Sequence, residues 1–175
     1  MSNYKMIPTL GLADAIKLAS GRLMDFSGRS RRSEFWWWML LVLILNMVVG
    51  QVLAFNAWLS FIAQALVMCL GLSVTARRLQ DTGKSAVWVY VSFALGILSN
   101  GYTASTGFAE KIMAVNGNAD AMMKLFESES GTLGTIGLLS VVNMIVSLLV
   151  IIFCCMDGKA EPNQYGESPK YVAAS

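Results

Sequence analysis

The sequence contains no histidine and little charge, and these two absences make several classes of function improbable. Histidine is the usual proton shuttle near neutral pH and the commonest metal ligand, so most hydrolase and metalloenzyme mechanisms lose their usual residues. Charged residues make up 14% of the 175 residues, against about 25% in a typical soluble domain, and hydrophobic residues make up 55%. We therefore expect a membrane protein with no catalytic residues, no metal site and no cofactor.

Cysteine is also scarce. Cys69, Cys154 and Cys155 lie in or at the end of apolar segments, and their odd number and spacing fit neither a disulfide framework nor a zinc site. A buried thiol in such a segment behaves as a small hydrophobic group. No short apolar stretch with a cleavage site precedes the first long apolar run, so we expect that run itself to direct membrane insertion.

Three long runs lack charge altogether, at residues 35–76, 85–109 and 130–156. A membrane-spanning helix needs about 20 apolar residues, so the first run is long enough for two helices and each of the others for one. The sequence predicts an all-α polytopic membrane protein, a bundle of four transmembrane helices in one domain covering residues 1–175. The expected spans are about 35–54, 57–75, 86–102 and 132–156.

The distribution of cations predicts the orientation of these spans. Residues 1–34, 76–85 and 157–175 hold all but two of the 13 Lys and Arg residues. Lysine and arginine accumulate in cytoplasmic segments, so we expect both termini in the cytoplasm and residues 157–175 as a cytoplasmic tail. Residues 103–131, which carry the two remaining cations, Lys111 and Lys124, form the predicted outer loop.

The N-terminal segment, residues 1–34, contains a stretch with helical periodicity. Residues 10–26 place apolar side chains on one face and polar side chains on the other, which predicts an amphipathic helix. Such a helix either lies in the membrane interface or packs beneath the bundle, and the pattern does not distinguish the two.

Two polar segments flank the first three spans. In residues 28–38 three arginines precede a carboxylate and a row of tryptophans, and in residues 77–85 two arginines precede a second carboxylate. Guanidinium groups fork onto phosphate oxygens, so both segments suit anionic lipid headgroups, although charges and tryptophans also simply anchor membrane helices. The candidate residues for lipid or partner binding are Arg29, Arg31, Arg32, Arg77, Arg78, Lys84 and Trp36.

The same segments contain acids that suit a structural role. Glu34 and Asp81 fall at the depth of the arginines, so we expect a partly desolvated lattice of arginine and carboxylate groups at the inner ends of the spans. Asn163 and Tyr165 in the tail are expected to pack against both segments as a third part of this polar plate. No base partner is suggested for either acid, so we favour the lattice over catalysis.

Three stretches, GRSRRSEFWWW, RRLQDTGKSAVW and PNQYGESP, resemble in order the signature stretches of the DUF805 family of small bacterial inner-membrane proteins. The resemblance covers nearly the whole chain and implies a membrane location without implying a biochemical activity. The signature positions that it implies are Gly28, Arg29, Arg32, Glu34, Phe35, Trp36, Arg77, Arg78, Leu79, Asp81, Ser85, Asn163, Tyr165, Gly166 and Pro169.

The chain departs from the family pattern at two places. Gln80 stands where the second motif commonly carries histidine, which argues against a titrating or metal-binding role for that position. Residues 101–131 are inserted where many members pass from the second motif to the third through one short apolar stretch.

Small and polar residues form stripes within the spans, as at the contact faces of membrane helices. The stripes contain Asn46 and Gly50; Ser60, Gln64 and Gly71; Ser92, Gly96 and Ser99; and Ser140, Asn143 and Ser147. The same stripes would suit a neutral polar path, and no acid or base lies within a span.

We therefore expect a non-enzymatic inner-membrane protein that binds anionic lipid, or a partner membrane protein or second copy of the chain, through its arginine-rich inner plate. A channel or carrier for small molecules is the alternative. A further alternative is a protective protein that binds a toxin through residues 103–131. Nucleic acid is not an expected partner.

Overall fold

The structure, a computed structural model, describes residues 4–173, with side chains described as far as residue 172. Helices dominate this part of the chain, which confirms the expected all-α fold. The elements in chain order are β1 (Tyr4–Met6), α1 (Leu12–Ser20), α2 (Arg32–Val52), α3 (Ala57–Asp81), α4 (Val87–Thr106), α5 (Phe108–Val115), α6 (Ala119–Ser128), α7 (Ser130–Cys155) and β2 (Tyr171–Ala173).

Three helices in the described part of the chain, α2, α3 and α7, are long and apolar enough to cross a membrane. Large apolar side chains such as Leu43, Leu66 and Leu138 are exposed along them, as expected where a helix faces lipid rather than a protein core. The chain is therefore a membrane protein. Helix α4 has 20 uncharged residues but is not among these three helices. Its mean hydropathy is lower, because polar residues such as Asn100 and Thr103 occupy its second half.

The four long helices pack as two antiparallel pairs. Helix α2 packs on α3, and α4 packs on α7, while α3 also contacts both α4 and α7. The turn between α2 and α3 is closed by Asn56, whose side chain accepts a hydrogen bond from the backbone N–H of Leu59 (2.9 Å) and caps α3. Gly83, with φ of +77°, follows the end of α3 and provides the left-handed conformation that turns the chain towards α4.

The buried apolar core lies at one end of the bundle, where α2 begins and α3 and α7 end. Phe35, Trp38, Leu79 and Cys154 are among its buried members. The indole Nε1 of Trp38 donates to the carbonyl of Leu70 (2.8 Å). The ring is therefore packed in the core while its N–H group has a hydrogen-bond acceptor. The space between the two helix pairs is the cavity described below.

Helix α1 occupies the middle of the stretch that was predicted to be amphipathic, residues 10–26. Its small residues Ala15 and Ala19 are buried, and the helix packs against α2. Its larger apolar residues Leu12 and Leu18 are exposed, as is Met24 in the turns that follow. The helix therefore packs Ala15, Ala19 and the partly buried Ile16 against the bundle, while Leu12 and Leu18 stay exposed.

Two features lie outside the four long helices. The segment that was predicted to be an outer loop contains α5 and α6, separated by Asn116 and Gly117, both of which have positive φ. At the opposite end of the bundle, β1 and β2 pair antiparallel, with Tyr4 opposite Ala173 and Met6 opposite Tyr171. Strands of three residues carry no usable periodicity, so the sequence analysis did not predict this sheet.

Candidate functional site

The first two polar segments meet at the end of the bundle that holds the apolar core. Gly28 turns the chain with φ of +94°, and Arg31 is extended immediately before α2 begins. The backbone N–H of Ser30 donates to the carbonyl of Arg77 (3.2 Å), which ties this loop to the last turns of α3. Helix α3 extends to Asp81, so the second arginine pair is helical and its side chains reach back across the bundle end.

Asp81 lies between two guanidinium groups. Arg29 Nε donates to its Oδ1 (2.8 Å) and Arg78 Nη1 donates to its Oδ2 (2.5 Å). The side chains of all three residues are at most 3% exposed. A buried charge of this kind is tolerated only when it is paired and its remaining hydrogen-bonding groups are satisfied. The carboxylate therefore joins the loop before α2 to the end of α3.

A second buried pair lies beside the first. Arg77 Nη2 donates to Glu34 Oε1 (3.2 Å), and both side chains are almost fully buried. Arg77 Nη1 also donates to the backbone carbonyls of Arg22 (2.8 Å) and Asp25, which fixes the segment between α1 and α2. Arg29, Glu34, Arg77, Arg78 and Asp81 are called the arginine cluster below.

The arginine cluster also closes the end of α7. The last carbonyls of a helix have no partner within it, and a cation near them is favourable. Arg78 Nε donates to the carbonyl of Cys154 (3.0 Å), and Arg78 Nη2 donates to that of Met156. Arg32 Nη1 donates to the carbonyl of Cys155 (3.4 Å). Guanidinium groups from α2 and α3 therefore act as the C-terminal cap of α7.

The tail that follows α7 folds over the cluster through its backbone. Arg29 Nη1 donates to the carbonyls of Glu161 (2.9 Å) and Gly166 (3.3 Å), and Arg29 Nη2 donates to that of Lys159. Gly158 lies so close to the Asp81 carboxylate that a Cβ atom at this position would collide with it.

The two tail residues that the sequence analysis selected take different parts. Asn163 Nδ2 donates to the carbonyl of Gln80 (2.9 Å), which attaches the tail to α3. Tyr165 contributes its backbone N–H, which donates to Asn163 Oδ1 (2.8 Å) and holds the turn. The three polar segments of the sequence are thus joined at one end of the bundle.

Arg31 holds the N-terminal segment. Its Nη2 donates to the carbonyls of Ile7 (3.1 Å) and Pro8 (2.7 Å), and its side chain is buried. The backbone N–H of Ile7 in turn donates to the carbonyl of Lys170 (2.9 Å), next to the small sheet. Both ends of the described chain are therefore attached to the same end of the bundle.

Arg32, Lys84 and Trp36 remain at the surface. Arg32 Nη2 and Lys170 Nζ both lie close to Asp157 Oδ1, at 2.8 Å and 2.9 Å, and these side chains are partly solvated. The hydrogen bond from Lys170 lowers the pKa of Asp157, with a smaller contribution from Arg32, and the same contact raises the pKa of Lys170. Lys84 Nζ lies 5.3 Å from the ring centre of Phe153.

This geometry divides the predicted lipid-binding residues into two groups. Arg29, Arg31, Arg77 and Arg78 are buried and donate to carboxylates or carbonyls of the chain itself, so a lipid phosphate has no access to them without displacing those partners. Arg32, Lys84 and Trp36 keep accessible surface. Any headgroup contact at this end therefore falls to the second group.

The sequence analysis missed the acceptors of these arginines. Most are backbone carbonyls in residues 22–30 and 154–166, and a carbonyl is present at every position, so no residue type marks it. The sequence analysis also did not predict that the backbone at Gly158 approaches the Asp81 carboxylate closely. The glycine itself is the only sign of this contact in the sequence.

The second candidate region is a cavity of about 910 Å³ between the two helix pairs. It is lined by α2, α3, α4, α5 and α7, and none of the described residues that line it is charged. Of the predicted stripes, the members Asn46, Gly50, Ser60, Gln64, Gly71, Ser92, Gly96, Asn143 and Ser147 line this cavity. The stripes also make contacts between helices, as between the hydroxyls of Ser92 and Ser147 (2.9 Å), so they serve both as contact faces and as cavity wall.

Over residues 4–173, no group of three or more His, Cys, Asp or Glu side chains is arranged to hold a metal ion. The three cysteines are free thiols, and Cys154 is buried beneath the arginine cluster.

Comparison with known proteins identifies a family over most of the chain. The family model described as "Protein of unknown function (DUF805)" matches residues 23–167, a range that includes the whole arginine cluster, the four long helices and Asn163 to Gly166 of the tail. No curated protein and no solved structure matches the chain. The chain belongs to the DUF805 family.

Proposed function

We propose that this chain crosses the bacterial inner membrane four times, with both termini in the cytoplasm. Arg29 before α2, Asp81 at the end of α3 and Glu161 after α7 are joined through Arg29, so these points lie on the same side of the membrane. The helices α2 and α3 form one crossing pair. Because α7 is long enough to span, α4 has to cross as well for the chain to return. The cation distribution then makes the shared side cytoplasmic.

In this arrangement α1 lies at the inner surface, with its exposed apolar side chains Leu12 and Leu18 directed towards the lipid interface. Helices α5 and α6 lie on the outer side, where Lys111 Nζ pairs with Glu129 Oε1 (2.7 Å).

Cysteine accessibility tests this topology. In a background with Cys69, Cys154 and Cys155 replaced by alanine, we expect Asp120→Cys to react with an impermeant maleimide in intact spheroplasts. Ser168→Cys is expected to react only after the membrane is opened. Labelling of both variants from the same side would contradict four spans.

The cavity supports a non-enzymatic binding or carrier function for an uncharged molecule of the bilayer. Its volume lies within the range of about 300–1,000 Å³ that is typical of small-molecule sites. The observation that carries this proposal is the absence of charge among its described lining residues, since a charged solute would find no counter-charge in a low-dielectric wall. The acids of the arginine cluster are already paired, which leaves them unsuited to acid or base catalysis.

The arginine cluster has a supporting role in this proposal. It joins the inner ends of α2, α3 and α7, so the two helix pairs are attached to each other at that end of the bundle. These contacts fix the helices that line the cavity relative to one another.

A cavity-filling substitution tests the function. A Cβ atom at Gly96 would meet only Asn143 Nδ2, at 3.8 Å, so Gly96→Leu extends into the cavity without backbone strain. We expect native mass spectrometry of the wild-type protein, purified with native lipid, to show a bound uncharged species that Gly96→Leu loses. Gly137→Leu on α7 is the control, since no atom lies near its Cβ position and it does not line the cavity.

If Gly96→Leu retained the same species at full occupancy, the cavity would not be the binding site, and the proposed cavity function would be wrong. A chemically altered lipid after incubation with the wild-type protein would overturn the non-enzymatic proposal.

The exposed cations support a second function, the binding of anionic lipid headgroups at the inner surface. Arg32 and Lys84 lie near the end of α7 and Trp36 is exposed on the first turns of α2, where headgroups are expected. We expect Arg32→Gln with Lys84→Gln to reduce phosphatidylglycerol that copurifies with the protein, and Lys124→Gln on α6 to leave it unchanged. Equal lipid content in all three proteins would exclude this function.

A further inference from the structure

Several polar groups of the cavity wall are used by the chain itself. The hydroxyls of Ser92 and Ser147 bond each other and join α4 to α7 (2.9 Å). Asn46 Nδ2 donates to the carbonyl of Gln64 and joins α2 to α3 (3.2 Å). Hydrogen bonds of this kind hold membrane helices together, so they explain the presence of these groups without any ligand.

Asn143 on α7 also lines the cavity, and its side-chain amide is not used in this way. The residue is only partly buried. Its Oδ1 atom is buried, so a ligand in the cavity does not reach that oxygen. Its Nδ2 atom, in contrast, is not among the buried atoms that lack a partner, and no described residue accepts a hydrogen bond from it. The amide nitrogen therefore keeps accessible surface and has two N–H groups to donate.

The position of this nitrogen makes the unused donor costly. Helix α7 ends at Cys155, 12 residues further on, which places Asn143 about 18 Å from the inner end of a 26-residue helix. This is close to the middle of the bilayer, where water is scarce and an unpaired polar group is unfavourable. Gly96, another lining residue, faces the nitrogen, because a Cβ atom there would lie 3.8 Å from Asn143 Nδ2. The donor therefore calls for an acceptor from outside the chain.

The cavity restricts what can bring that acceptor. Its wall is mostly apolar, with residues such as Met39, Phe61 and Ile97, so the body of the occupant is hydrocarbon. No described lining residue is charged, so the acceptor belongs to a neutral group. A carbonyl oxygen is satisfied by this one donor. A hydroxyl group would also need an acceptor for its own proton, and the buried Oδ1 of Asn143 does not offer one.

We propose, on the basis of the cavity function above, that the cavity takes an uncharged long-chain ketone or ester whose carbonyl oxygen accepts a hydrogen bond from Asn143 Nδ2. The hydrocarbon chain of this molecule lies along the apolar wall between the helix pairs. The absent side chain at Gly96 leaves room for the carbonyl group beside the amide.

Two probes of nearly the same shape test this assignment. Hexadecan-2-one carries the carbonyl, and in 2-methylhexadec-1-ene a CH₂ group replaces its oxygen. The protein is reconstituted with one probe at a time in nanodiscs of ether-linked phosphatidylcholine, which has no carbonyl group of its own, and the bound fraction is measured by native mass spectrometry. A hydrogen bond within a membrane protein changes affinity by roughly 3-fold to 20-fold, so we expect the ketone to bind more tightly than the alkene by a factor in that range.

Asn143→Leu removes the donor at similar volume, and we expect it to bind both probes with the affinity that the wild-type protein has for the alkene. Asn100→Leu is the control. Asn100 also lines the cavity, but its Nδ2 already donates to the carbonyl of Gly96 (2.8 Å), so this variant is expected to keep the preference for the ketone. Should Asn143→Leu not fold, Asn143→Ala removes the donor without adding bulk.

The outcomes separate the two proposals. Equal binding of both probes by the wild-type protein, a preference that survives the loss of Asn143, or a preference that Asn100→Leu also loses overturns the carbonyl assignment and leaves the cavity function standing. Tighter binding of hexadecan-2-ol than of hexadecan-2-one does the same. No binding of any probe by the wild-type protein, or binding that Gly96→Leu does not weaken, overturns the cavity function and this assignment with it.

Discussion

Replacing Asp81 by asparagine removes the one carboxylate that Arg29 and Arg78 share. The asparagine oxygen can accept from one guanidinium, but its NH₂ group then faces the other, so a buried cation loses its partner. Breaking a buried pair in this way costs about 3–5 kcal/mol. We therefore expect Asp81→Asn to lower the free energy of unfolding by about that amount.

The change is large enough to measure by thermal unfolding. For a chain of 150–250 residues, 1 kcal/mol shifts the melting temperature by roughly 2–4 °C, so a loss of about 3–5 kcal/mol corresponds to roughly 6–20 °C. Tryptophan fluorescence reports the transition, because Trp38 lies in the apolar core beside the arginine cluster. The measurement is made in nanodiscs of one lipid composition for every variant.

Asp157→Asn is the matched control. Asp157 also pairs with an arginine, at 2.8 Å, but its side chain is 55% exposed. Asp157 also pairs with Lys170, at 2.9 Å, and each exposed pair contributes about 0–1 kcal/mol, so the melting temperature is expected to fall by at most about 8 °C. Equal shifts for Asp81→Asn and Asp157→Asn would refute the conclusion that the arginine cluster holds the helix ends together.

Three further outcomes follow from individual contacts. Gly158→Ala places a Cβ atom against the Asp81 carboxylate, and such overpacking is expected to cost about 1–3 kcal/mol in the same melting assay. Trp38→Phe removes the indole donor to the carbonyl of Leu70, which keeps its helical hydrogen bond within α3, so the expected cost is about 0.5–1.5 kcal/mol. The Arg22 side chain lowers the pKa of Asp25 to about 2. The pairing therefore stabilises the fold above about pH 4, and this stabilisation is lost as the pH falls towards 2. We expect the difference in melting temperature between the wild-type protein and Asp25→Asn to shrink over that pH range.

Each outcome has a control that isolates the contact. Gly131→Ala adds a Cβ atom with no neighbour nearby, so a loss equal to that of Gly158→Ala would argue against the collision. Trp37→Phe changes an exposed indole on the same helix, and a cost equal to that of Trp38→Phe would show that the buried hydrogen bond is unimportant. A constant difference between wild type and Asp25→Asn from pH 5 to about 2 would contradict the pairing of Asp25.

Much of the fold could be read from charge alone. The uncharged runs coincide closely with the long helices, since α2 ends at Val52 and α7 at Cys155, near the expected ends of the first and last spans. Helix α3 continues beyond the second expected span, about 57–75, and ends at Asp81, so Arg77 and Arg78 are part of the helix. Polar residues at a membrane boundary do not end a helix when their side chains find partners.

The candidate site was readable only in part. Grouping arginines and acids at one boundary predicts that they meet, but a one-dimensional pattern does not state which arginines are buried. The expectation that these arginines bind carboxylates, lipid or a partner did not allow for backbone carbonyls as acceptors. Arg29 and Arg78 satisfy their donors mainly in this way, through carbonyls of the tail and of the end of α7.

Hydropathy and charge are sums over neighbouring residues, so the sequence by itself determined the membrane class, the long uncharged runs and the set of charged residues at their ends. The rotation of each helix about its axis and its contacts with distant segments were decided by the tertiary structure. These set the burial of Arg77, the exposure of Arg32 and the direction of the polar stripes towards the cavity. Whether a polar atom such as Asn143 Oδ1 has a hydrogen-bond partner is likewise a property of the packed bundle.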